Sequence, residues 1–367
     1  MINNSGITVE VKRQHMQQLA DYREQELRPH PKLHSLFFEL TVKCNEHCRH
    51  CGSWCGDIKE QNALSLAEWK EILDHAKKEF AGDPRFRLCI TGGEPLLYPH
   101  FEELLSYADE LGIPWGMTSN GTLITPEIAA MLKRTGMRTI SISVDGLEET
   151  HDWFRMSPGS YQKTLQGIQN LLNEKCFHHV QITTVVHHRN FHQLEEMYRT
   201  FSETGVHSWR VINVEPMGRA KDDPELELTP EQYVELFAFI REKRFAGPME
   251  VTYGCSHYLG DEMEREVRPW YFLCNAGIYT ASIRYNGDIG ACLDIPARPE
   301  TIQGNIRERS LKDVWDNRFE IFRTDYRKVG KCADCEDYVF CAGDSFHSWD
   351  FERMEPMLCM RGIICHT

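Results

Sequence analysis

Cys44-Asn45-Glu46-His47-Cys48-Arg49-His50-Cys51 carries three cysteines at the spacing C-x3-C-x2-C. Thiolates are the soft ligands that iron–sulfur clusters take, and three so close in sequence can wrap one face of a [4Fe–4S] cube. Three ligands cover three irons. The fourth is left with an open position, where a substrate or cofactor can bind. A zinc knuckle or a disulfide cluster would fit the same eight residues, so the reading depends on what lies around them.

Upstream, residues 36–42 (Leu36-Phe37-Phe38-Glu39-Leu40-Thr41-Val42) form an apolar strand that runs into the cysteines, and the charged residues 9–28 suit an exposed helix or an ordered tail. Downstream, strands and helices alternate. Ser65-Leu66-Ala67-Glu68 is a capping box opening a helix with Trp69, Ile72, Leu73 and Ala76 on one face. Further strands are expected over 86–91, 115–119, 138–144, 180–186 and 209–214, with helices over 101–111, 126–134, 161–173 and 191–202. Six β/α units of this kind predict an α/β fold, a partial TIM-like (β/α)6 barrel, with ligands at the C-terminal ends of its strands. Residues 221–229 are polar and contain a proline, and a helix over 231–243 leads on to a cysteine-rich region. The expected organisation is a charged segment 1–34, a core 35–220, a linker with bridging helix 221–250 and a small domain 251–367.

The composition, 41% hydrophobic and 26% charged over 367 residues, is that of an ordinary globular protein. Forty-one Lys and Arg against 55 Asp and Glu give a formal charge of −14, which argues against a nucleic-acid partner. No apolar run reaches membrane-spanning length, and the polar start Met1-Ile2-Asn3-Asn4-Ser5 is unlike a signal peptide. Fourteen cysteines in such a chain point to metal rather than disulfides, and to a reduced, cytoplasmic setting.

Each cofactor motif falls at a strand end. Gly92-Gly93-Glu94-Pro95 follows the second strand, Asn120 the third, Ser143 and Asp145 the fourth, and Pro216-Met217-Gly218-Arg219-Ala220 the sixth. Glycines let backbone approach a ligand, and Glu94 can accept from an ammonium. Together with C-x3-C-x2-C, this set resembles the radical SAM superfamily. The resemblance implies that Cys44, Cys48 and Cys51 hold a [4Fe–4S] cluster whose open iron binds S-adenosylmethionine (SAM). Gly92, Gly93, Glu94 and Pro95 then face the methionyl amino group, with Asn120, Ser143, Asp145 and Arg219 as further SAM contacts. For Asp145 a plain capping role, and for Arg219 a structural salt bridge, stay open.

Beyond residue 250, Cys274-x12-Gly287-x4-Cys292, with a hairpin signal at Asn286-Gly287, is similar to the opening of a SPASM domain. Ile302-Gln303-Gly304-Asn305-Ile306 and Leu311-Lys312-Asp313-Val314-Trp315 resemble its middle, and Cys332-x2-Cys335-x5-Cys341 with Cys359 its end. Cys332-x2-Cys335 alone would also suit a zinc ribbon. The resemblance implies one auxiliary [4Fe–4S] cluster on Cys332, Cys335, Cys341 and Cys359, and another on Cys274, Cys292 and Cys255. The family's further cysteine is here Ser345, which leaves Cys365 as the candidate fourth ligand. Cys55, Cys89 and Cys176 match no motif.

The implied chemistry is reductive cleavage of SAM to a 5′-deoxyadenosyl radical that abstracts a substrate hydrogen, fed by a reducing partner such as flavodoxin or ferredoxin. The implied substrate is a ribosomally made peptide, to be cross-linked or oxidised. About 35 residues before the first strand leave no room for a separate winged-helix peptide-binding domain. Formylglycine formation is an alternative; its base would be Asp294, one residue later than the family places it. A non-enzymatic iron–sulfur electron carrier is the reading from another class.

Overall fold

The computed structural model describes residues 6–254 and 257–364. Its first helix, α1 (Val9–Tyr22), starts at Thr8, whose hydroxyl accepts from the Val11 amide, and continues as a π-helical turn over Arg23–Leu27. This helix is docked rather than free. Lys12, Met16 and Ala20 are buried, and the Lys12 ammonium donates to Glu266 at 2.5 Å and to the Glu262 carbonyl at 2.8 Å.

Seven parallel strands follow with helices between them: β1 (Ser35–Glu39), α2 (Leu66–Glu79), β2 (Arg87–Thr91), α3 (Phe101–Glu110), β3 (Trp115–Ser119), α4 (Pro126–Arg134), β4 (Met137–Ser143), α5 (Glu148–Arg155), α6 (Ser160–Glu174), β5 (His179–Val186), α7 (Leu194–Thr204), β6 (Ser208–Asn213), α8 (Pro230–Lys243) and β7 (Glu250–Tyr253). The predicted capping box of α2 is present in both directions, Ser65 to Glu68 and back, and the predicted apolar face is buried. Apolar side chains on the strands and on the inward faces of the helices merge into one core around Phe38, Trp69, Trp115 and Trp209.

Three elements depart from expectation. The strand predicted over 36–42 ends at Glu39, because the next backbone groups bond to the loop after β2: the Gly93 amide to Thr41 O and the Glu94 amide to Lys43 O, both at 2.8 Å. Helix α5 was not predicted, since Glu148-Glu149-Thr150-His151-Asp152-Trp153-Phe154-Arg155 has too few apolar residues to show a stripe. The alternation also runs one unit past 220, with α8 as a crossover and β7 paired in parallel with β6 from Ser208↔Glu250 to Val211↔Tyr253. A four-residue strand gives almost no periodic signal.

The predicted hairpin is formed by β8 (Thr280–Ile283) and β9 (Asp288–Gly290), turning at Gly287 with φ +92°. It joins the same sheet: β8 lies parallel to β1, Ser35↔Thr280 to Phe38↔Ile283, and β10 (Gly304–Asn305) closes that side. The strand order is β10-β9-β8-β1-β2-β3-β4-β5-β6-β7. The molecule is therefore an α/β protein built on a mostly parallel sheet, with the loops after β1 to β6 gathered at the strands' C-terminal ends. Among the described residues no helix is long and apolar enough to cross a membrane.

Candidate active site

The cysteine loop is held by backbone from three directions. From the loop after β2, a Cβ on Gly93 would lie 2.1 Å from Lys43 O and 3.1 Å from the Cys44 Cβ, and one on Gly92 2.4 Å from Thr41 O. Only glycine fits there. From the loop after β6, a Cβ on Gly218 would lie 2.3 Å from Cys51 O; the Arg219 amide donates to that carbonyl and its Nε to Cys48 O at 2.8 Å. From α5, the Phe154 and Arg155 carbonyls accept from the Arg49 and His47 amides.

Under the loop lies a buried ionic cluster. Arg155 Nε donates to Asp145 Oδ2 at 2.7 Å, and Nη2 bonds to the same oxygen. Its Nη1 is 3.5 Å from Cys48 Sγ and 3.6 Å from Glu46 Oε2. Asp145 is wholly buried, and its other oxygen accepts from the Val185 amide at 2.7 Å. Burial is the largest influence and disfavours its charge, but Arg155, His50, His151 and the Val185 amide together outweigh it and keep its pKa below the usual value. Glu46 goes the other way, pushed up by burial against the pull of Arg155. Burial also pushes the Cys44 thiol up to about 11 and Cys48 up to about 12. Cys51 is lowered to about 5, chiefly by a hydrogen bond from the Cys55 thiol.

Glu94 is fully buried at the head of the short turn Pro95–Leu97. Its carboxylate accepts from Ser119 Oγ at 3.0 Å, the Asn120 amide at 2.9 Å and the Leu96 amide at 3.3 Å, yet burial raises it to about 7. The Asn120 side chain donates to Asn45 of the cysteine loop at 2.9 Å. Ser143 ends β4, half-buried. The structure thus brings Cys44, Cys48, Cys51, Gly92, Gly93, Glu94, Asn120 and Arg219 around one loop. It engages Asp145 beneath that loop, and Arg219 with Cys48, Cys55 and Asp57.

In the C-terminal part, Cys274 and Cys341 pack in one cluster with Met16, Tyr258 and Phe272, and the Arg327 charge acts on both sulfurs. Cys332 and Cys335 pack with Tyr338 and Trp349, and the charges of Cys335 and Cys359 act on Cys332, that of Cys359 also on Cys341. The Cys292 thiol donates to Asp294, which is exposed, at 3.7 Å. Ser345 is buried; Cys255 and Cys365 lie outside the described residues.

The radical SAM superfamily profile matches residues 38–201, and that of an iron–sulfur cluster-binding domain, SPASM, matches 274–336. The chain is 30% identical to the AdoMet-dependent heme synthase of Methanosarcina barkeri over 345 residues, 88% of this chain and 95% of that protein. This chain belongs to the radical SAM superfamily. It is also 30% identical to the mycofactocin maturase MftC of Mycobacterium tuberculosis, over 84% of this chain and 77% of that one. Among solved structures, anSMEcpe with bound AdoMet superposes with a TM-score of 0.71 at 20% identity, covering 90% of this chain and 94% of that one. Streptococcus suis SuiB bound to S-adenosylmethionine gives 0.70 at 20% identity, over 85% and 73%. The fold is shared with both.

This radical SAM enzyme uses [4Fe–4S] clusters and SAM. The N-terminal donor set fits a cube. Two of its three thiols resist ionisation when free, so iron must take the place of their protons. Among the described residues no three His, Cys, Asp or Glu side chains gather closely enough to hold a single metal ion; a cube instead gives each thiolate its own iron. Sequence reasoning missed Arg155. It lies in no motif, and only the fold carries it to Cys48.

Proposed function

We propose that this radical SAM/SPASM enzyme abstracts a hydrogen from a ribosomally made peptide, so that the peptide is cross-linked or a side chain is oxidised. The observation that carries this reading is the match to a mycofactocin maturase across 84% of the chain. Cys44, Cys48 and Cys51 would hold the cluster, and SAM bound there would supply the hydrogen-abstracting radical. The chain's own residues bind and orient it. Glu94 accepts from the methionyl ammonium, and Asn120 and Ser143 at neighbouring strand ends contact the rest of SAM. Asp145 and Arg219, already engaged, act by holding the cysteine loop. Asp294 beside Cys292 is the base we assign for a proton leaving the substrate. A cytoplasmic flavodoxin or ferredoxin supplies the electron.

A second reading has its own support. The match to a heme synthase spans 95% of that protein, which favours an iron porphyrin as substrate. The two separate in one experiment. The reconstituted enzyme is turned over anaerobically with SAM and dithionite, given either the peptide encoded beside its gene or an iron porphyrin bearing propionates. The peptide is expected to lose two hydrogens per modified site and to stimulate SAM consumption. Stimulation by the porphyrin alone would end the peptide reading.

The Glu94 assignment predicts a pH dependence. Its carboxyl titrates at about 7 in the empty site, and an ammonium needs the ionised form. Below pH 7 the site must lose a proton to bind, so SAM affinity falls by up to about tenfold per pH unit; above pH 7 it is level only until about pH 8, where the ammonium loses its own proton. Glu94→Gln should weaken binding by about 2 kcal/mol and flatten the profile. Equilibrium binding of SAM without reductant, followed across neutral pH, checks both.

A further inference from the structure

A second buried ionic cluster lies between the β6 loop and the C-terminal cysteines, and the chemistry above does not use it. His257 is fully buried, with Nε2 2.6 Å from Glu215 Oε1 and Nδ1 2.6 Å from Asp344 Oδ2. Both ring nitrogens face carboxylate oxygens, so both must donate. Glu215 also accepts from Ser348 Oγ at 3.0 Å, and Asp344 from the Tyr258 amide at 2.9 Å. Three charged groups out of water are tolerated only with such complete pairing, and removing one strands the others.

What the cluster joins gives it a role. Glu215 begins the loop whose Arg219 grips Cys48 and Cys51. Asp344 lies three residues after Cys341, and its carbonyl accepts from Arg327 Nη1 at 2.5 Å. Arg327 also donates to Gly343 O at 3.2 Å, and its guanidinium sits 3.6 Å over the Phe346 ring, its charge felt by Cys274 and Cys341. Hydrogen bonds joined by short covalent stretches, Glu215 to Arg219 along the chain and Asp344 from side chain to carbonyl, thus link the SAM-cluster loop to a cation beside two auxiliary-cluster cysteines. We propose that His257 is a positioning residue: through Glu215 and Asp344 it fixes the auxiliary-cluster segment, and the Arg327 charge within it, against the radical-forming loop. Outer groups of this kind orient ligands and tune potentials without ligating. The proposal rests on the SPASM reading and not on the substrate.

The test uses the full, reconstituted chain with His257→Asn, and with Glu215→Gln as a variant that keeps side-chain size but removes the negative charge facing the doubly protonated ring. Electron paramagnetic resonance during a redox titration reads each cluster separately. The SAM-induced change in the N-terminal cluster's signal should persist in both variants. The auxiliary signals should change shape and midpoint potential, and auxiliary iron should be lost to a chelator about tenfold faster. Should His257→Asn fail to fold, Glu215→Gln alone decides. Auxiliary spectra and iron retention identical to wild type would overturn the proposal. Since no substrate enters the experiment, its failure is distinct from failure of the peptide reading.

Discussion

Replacing Cys44, Cys48 and Cys51 together by alanine is expected to abolish 5′-deoxyadenosine formation from SAM while the protein stays folded. Loss of the thiolates removes one cluster, about four irons per chain, and with it the site that binds and reduces SAM. Folding should survive because the loop is not shaped by its thiols. The carbonyls of Thr41, Lys43, Cys48 and Cys51 are bound by Gly93, Glu94 and Arg219, and the amides of His47 and Arg49 by α5. The C-terminal clusters rest on other cysteines and should keep their iron. Anaerobic iron analysis and chromatography of the SAM products give both readings from one preparation. Wild-type amounts of 5′-deoxyadenosine from the triple variant would sink the assignment of this loop.

The second large effect falls on a residue that lies in no motif. Arg155→Met deletes the cation shared by Asp145, Glu46 and Cys48 while keeping an apolar stem in place. Breaking a buried pair from one side costs about 3–5 kcal/mol, because the remaining charges have neither water nor a partner. Against a total of about 5–15 kcal/mol for a typical domain, that is a severe loss. Denaturant unfolding of the apo-protein should show it as a lower midpoint, and iron uptake by the N-terminal site should fall with it. Adding Asp145→Asn should restore part of the loss, since two contacting residues are not additive. A single-variant cost under about 1 kcal/mol would show that Arg155 carries no such burden.

Much of the site was legible because its motifs are local. C-x3-C-x2-C, Gly92-Gly93-Glu94-Pro95 and Gly218-Arg219 each act through backbone geometry within a few residues, and the structure draws all of them onto one loop. The alternation of strands and helices was legible for the same reason, and the Ser65–Glu68 capping box appeared where its residues placed it. What escaped was long-range or too short. Arg155 reaches Cys48 across 107 positions, and His257 links Glu215 to Asp344 over 42 and 87. Neither partnership leaves a spacing to read. β7 is four residues long, and the parallel pairing of β8 with β1 joins segments that composition had assigned to separate parts.

That last pairing bears on how the molecule is made. β1, which delivers the chain into the cysteine loop, has β2 on one side and β8 on the other, and β8 begins at Thr280. As synthesis proceeds, β1 must wait for some 240 further residues before its second edge is covered, an interval with a bare apolar strand that carries Leu36 and Phe38. Long-range parallel pairing is slow to form. A nascent or truncated chain ending before Thr280 therefore carries an edge fit for pairing with another molecule, so the C-terminal hairpin doubles as an intramolecular guard against aggregation.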